Sequence, residues 1–146
     1  MFNPSIEDVR IFFYNTYTKG KNKEPLTDME KIAFRVILEH PEYHNILANK
    51  NKCLDYQCNV DSGVTNPFLH MSLHITIYEQ LSIDQPFGIN KLYKEIYEKN
   101  GDLHETEHTM IDCLGEMIWH AQKNQQTPDV NMYFNCLKAK IHDISI

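Results

Sequence analysis

The stretch Asn66-Pro67-Phe68-Leu69-His70-Met71-Ser72-Leu73-His74-Ile75-Thr76-Ile77-Tyr78-Glu79-Gln80-Leu81-Ser82-Ile83 decides the fold. Asn66 is a good N-cap, and Pro67 suits the first helical position, where its missing N–H would have no partner anyway. At about 100° per residue from His70, the side chains of Ser72, Thr76, Glu79 and Gln80 gather between about 180° and 280°. His70 and His74 fall at about 0° and 40°, away from that polar face, with Leu73, Ile77 and Leu81 around them. The pattern predicts a helix laid on a core, with two imidazoles turned inward.

The same punctuation repeats on both sides. Upstream, Ser5 caps a helix expected to reach Lys19, with Gly20 as its stop and Ile6, Val9, Phe12, Phe13 and Tyr17 as its apolar stripe. Thr27-Asp28-Met29-Glu30 is a capping box that opens a second helix, with Met29, Ile32, Ala33, Val36 and Ile37 facing the core. Pro41 should end or kink it, leaving a turn or two up to Leu47. Residues 49–65 read as one irregular segment. Downstream, Asp84-Gln85-Pro86-Phe87-Gly88 is turn chemistry, followed by helices over 90–99 and 102–122. Thr127-Pro128 opens a last one carrying Val130, Tyr133, Phe134, Leu137 and Ile141. No segment alternates with period two, so the fold class is all-α, a single-domain helical bundle of about five to six helices spanning residues 1–146.

The totals exclude several function classes. A net charge of -6 speaks against a nucleic-acid partner, which needs a basic face. Neither a long apolar run nor a signal-peptide pattern is present, which predicts a cytoplasmic protein without a membrane partner. The four cysteines, Cys53, Cys58, Cys113 and Cys136, are too scattered for a disulfide framework or a zinc knuckle and are expected to be reduced structural thiols.

Chemistry gathers instead on the histidines. Six of the eight form pairs four residues apart: His40/His44, His70/His74 and His104/His108. That spacing stacks two imidazoles on one helix face, where they can converge on one ion. His70/His74 is the strongest pair. His104/His108 lies at the border of its helix's apolar face, with Glu107 inside the apolar sector and Asp112 stepping outward as carboxylate candidates. His40/His44 is weaker, because Pro41 interrupts the helix between its members. The reading places a histidine/carboxylate site between the third and fifth helices for a divalent metal ion. Nitrogen and oxygen donors favour iron, zinc or manganese. Whether the ion serves catalysis stays open, as does any small-molecule ligand. The alternative is a metal-free interaction or homodimerisation module, its histidines bonded to carboxylates and Tyr93, Tyr97 and Trp119 forming a contact surface.

The opening MFNPSIEDVR, the HPEYH of residues 40–44, the block TNPFLHMSLHITIYEQLSIDQPFGI and the segment HETEH…DCLGEMIWHAQ together resemble domain-of-unknown-function family 1841. The resemblance runs over nearly the whole chain. It implies one bacterial cytosolic domain and carries no activity or catalytic residue with it. More loosely, inward histidine pairs in a helical bundle are similar to hemerythrin-like and DinB-like metal proteins, although the motif spacing departs from a hemerythrin ligand set.

Overall fold

The computed structural model describes residues 5–57 and 66–142. Among them there is no strand, and eight α-helices occur where the sequence predicted five or six. They are α1 (Ile6–Lys21), α2 (Asp28–Leu38), α3 (His44–Leu47), α4 (Lys50–Asp55), α5 (Pro67–Ile83), α6 (Ile89–Asn100), α7 (Leu103–Lys123) and α8 (Val130–His142), with a 3-10 turn at Pro41–Tyr43 before α3. The chain divides into two compact units, residues 1–75 and 76–146, with the boundary falling inside α5.

In the first unit, α1 begins with a reciprocal capping box between Ser5 and Asp8. It does not stop at Gly20. It runs to Lys21 and closes with Glu24 N–H donating to Lys19 O and Lys23 N–H to Gly20 O, while Lys23 takes the left-handed conformation at φ 58°. Gly20 is small for another reason: a Cβ there would overlap the Phe34 ring of α2. The Thr27–Glu30 capping box forms as expected, and the Glu30 carboxylate also pairs with Lys19 Nζ at 3.0 Å. The inner face of α2 is therefore turned from the predicted stripe, with Met29 exposed and Glu30, Ala33, Val36 and Ile37 buried.

The expected irregular segment contains α4. Asn49 caps it by accepting from Lys52 N–H, and Arg10 of α1 closes its other end. One guanidinium nitrogen, Nη1, donates to the carbonyls of Cys53, Leu54 and Tyr56 at 3.1, 3.0 and 2.9 Å. The guanidinium also lies over the Phe68 ring. At the start of α5, Asn66 Oδ1 accepts from Phe68 and Leu69 N–H, as the sequence predicted. Phe13, Val36, Ile37, Leu47, Phe68 and Met71 fill the interior of this unit.

In the second unit, α6, α7 and α8 pack on one another around Ile89, Ile96, Met110, Leu114, Tyr133 and Leu137. Gly88 (φ 98°) precedes α6 and Gly101 (φ 70°) ends it, both left-handed conformations that favour glycine. Asp102 caps α7 as predicted. The last helix starts at Val130 instead of Thr127, because Asp129 Oδ1 accepts the Asn131 N–H. Tyr133 is fully buried, and its hydroxyl donates to Gln80 Oε1 at 2.8 Å.

The expectation of reduced thiols holds in part. Cys53 is free and buried, donates to Ile46 O, and has its thiol pushed up to about 11 by burial, which makes it a poor nucleophile. Cys113 and Cys136, by contrast, form a disulfide between α7 and α8. Twenty-three residues separate them in sequence, so only the packing of the two helices brings them together. Cys58 lies outside the described residues.

Candidate metal centre

The centre begins with a proline. In a continued helix the N–H of residue 41 would bond to Ile37 O, but Pro41 has none. The end of α2 tightens, with His40 N–H donating to Ile37 O at 3.0 Å and Glu39 N–H reaching both Arg35 O and Val36 O. Two late carbonyls of α2 then accept from imidazoles. His40 Nδ1 donates to Val36 O at 2.8 Å, and His44 Nε2 donates to Ile37 O at 2.7 Å.

These bonds separate the two histidines. With its proton on Nδ1, His40 presents the Nε2 lone pair to the interior. His40 is 4% exposed, and Nε2 has no hydrogen-bond partner. Burial pulls its pKa below the ordinary value; the Val36 carbonyl opposes this and His74 adds to it, so the ring is neutral near pH 7. His44 commits Nε2 to the backbone, and its ring lies against Tyr17 with centroids 5.2 Å apart.

On α5, His70 and His74 sit one above the other as the spacing predicted. Their Nε2 atoms are 3.2 Å apart. His74 is 1% exposed and His70 is half-buried. The His40 ring centroid is 5.0 Å from that of His70 and 4.8 Å from that of His74. Each of the three offers a ligand nitrogen, and these nitrogens lie within 4.8 Å of one another. A tetrahedral zinc with Zn–N of about 2.05 Å holds its ligand nitrogens about 3.3 Å apart, so the His70/His74 spacing already suits one edge of such a site.

Tyr43 is a neighbour that the sequence reading missed. Its ring stacks on His40, with centroids 5.4 Å apart and planes 2° from parallel, and stands edge-on to His70 at 6.4 Å. Burial raises its phenol pKa, so it stays protonated. The residue is visible within HPEYH, but a helical wheel cannot place it, because residues 41–43 form a 3-10 turn.

The α7 candidates take different positions. His104, placed by the helical wheel at the border of the apolar face, is exposed, and its backbone N–H donates to the Asp102 cap at 2.8 Å. His108 is half-buried, and its Nδ1 donates to His104 O at 2.9 Å, the same four-residue anchoring seen for His40. Glu107 is half-buried and Asp112 faces solvent.

The family described as a domain of unknown function (DUF1841) matches residues 5–139. The chain belongs to the DUF1841 family. No curated protein and no solved structure matches it significantly. Membership in DUF1841 brings no activity or ligand set with it, so the chemistry rests on the histidines themselves. Among the described residues no helix is long and apolar enough to cross a membrane.

Proposed function

We propose that this chain is a metal-binding protein, holding a divalent transition-metal ion on His40, His70 and His74. The observation that carries the reading is His40 Nε2, a buried nitrogen with no hydrogen-bond partner, turned toward two further imidazoles. Buried polar atoms are almost always satisfied, and a metal ion satisfies a neutral imidazole nitrogen. The Val36 carbonyl on the opposite ring nitrogen is the outer partner that metal-bound histidines commonly have. Imidazole donors favour zinc or iron over manganese, which binds such sites more weakly.

Three imidazoles leave a tetrahedral ion a fourth position, open to water or a further ligand. Elemental analysis of protein purified without an affinity tag should find about one equivalent of zinc or iron per chain. Loss of that metal in His40→Ala and His74→Ala supports the assignment. Metal well below one equivalent, unchanged by either substitution, overturns it.

A metal-free reading is favoured by one contact. At 3.2 Å, His74 Nε2 and His70 Nε2 can share a proton as a direct hydrogen bond. On that reading the module binds no ion, and chelator leaves its melting temperature unchanged.

A further inference from the structure

The second unit contains a cavity of about 330 Å³ that the histidine chemistry does not use. Its apolar walls are Phe87, Leu92 and Phe134, and Lys91, Glu95 and Lys138 also line it. The volume lies at the lower end of the range for small-molecule pockets, about 300–1,000 Å³.

Two observations point to an occupant. Phe87, one of the lining residues, is 83% exposed, an unusual position for a phenyl ring. It is set there by a turn in which Asp84 (φ 51°) and Gly88 (φ 98°) are both left-handed. The turn is fixed further by Asp84 Oδ1, which accepts the Asn90 N–H at 3.0 Å. The second observation is charge. Among the described residues the side chains of Lys91 and Lys138 make no ion pair or hydrogen bond. Two ammonium groups against one carboxylate make this a locally basic spot on a chain of net charge -6.

An open apolar groove lined also by two lysines complements a molecule that is apolar along its body and anionic at one end. We infer that this cavity binds a small amphipathic carboxylate, its hydrocarbon part against Phe87, Leu92 and Phe134 and its carboxylate between Lys91 and Lys138. A divalent cation or a polyphosphate would find too little polar lining here.

The test is a titration of the full chain with octanoate, followed by amide chemical shifts. Saturable shifts confined to residues 84–95 and 130–142 are expected. Affinity should fall at least about tenfold in the Lys91→Glu/Lys138→Glu double variant, whose substitutions are on the surface, and by a similar factor when octanol replaces octanoate. Three outcomes overturn the proposal: no saturable shifts, octanol binding as tightly as octanoate, or shifts that follow protein concentration, which would assign the face to a second copy of the chain.

Discussion

His40 Nδ1 donates to the carbonyl oxygen of Val36, four residues earlier, so a side chain joins the Glu39 N–H in closing the last turn of α2. The bond fixes tautomer and ring orientation together, which is the support a metal ligand needs. His44 makes the corresponding bond through its other nitrogen, to Ile37 O. Two histidines from one sequence pair are thereby given different tasks.

The first prediction separates them. His40→Ala should abolish stoichiometric zinc binding. His44→Ala should keep affinity within about 10- to 100-fold, the range for loss of an outer partner, while costing about 1 kcal/mol of stability for the lost hydrogen bond. Zinc titration against a competing chelator, with thermal melts of both variants, checks it. Equal losses of affinity would contradict the division.

Pro41 supplies the second. Pro41→Ala restores an N–H that can claim Ile37 O and lets α2 continue past Leu38. The His44 anchor should be displaced and the His40 ring reoriented. Helical circular dichroism should rise slightly while metal affinity falls about tenfold or more. In the sequence this proline looked like a defect in a histidine pair. In the fold it withholds one N–H from Ile37 O, a carbonyl that holds one of the rings.

The Glu30 carboxylate is held below its ordinary value of 4.5 by the Thr27 backbone N–H first and by Lys19 second, against the opposing effect of burial. A lowered folded value means the stabilisation is fully present above the unfolded pKa and is lost as pH falls through the folded one. Glu30→Gln should therefore melt below wild type at pH 7, and the gap should close as pH drops below about 4. A gap constant from pH 7 to pH 3 would show that the charge contributes nothing.

Gly20 gives a steric prediction. Gly20→Ala places a methyl group against the Phe34 ring and should cost about 1–3 kcal/mol despite alanine's better helix propensity. Adding Phe34→Ala to the Gly20→Ala variant should remove that penalty. Denaturant unfolding of the wild type, the two single variants and the double variant forms a double-mutant cycle, and additive effects would rule out the contact.

How much of this was legible depended on length scale. Caps act within four residues, so Ser5, Thr27, Asn66 and Asp102 announced their helices directly. The polar face of α5 likewise placed His70 and His74 together. α4 was hidden because six residues show no helical period, and its far end is closed by Arg10, more than forty positions away. The place of His40 beside His70 and His74 was hidden because wheel geometry ends at Pro41, although the ring is seated by that very break. The Cys113–Cys136 bond depends on how α7 meets α8, which no local pattern encodes.

Arg10 has a consequence for the order in which the molecule opens. α4 is too short to persist alone, and its terminal carbonyls are held by a side chain rooted in α1. The two segments should therefore exchange their amide hydrogens as one cooperative unit, α4 losing protection whenever α1 unravels. Arg10→Met, which keeps bulk over Phe68 and removes the donors, should uncouple them. Deuterium uptake at residues 50–55 would then run ahead of uptake in α1, leaving α4 the first part of its unit to open.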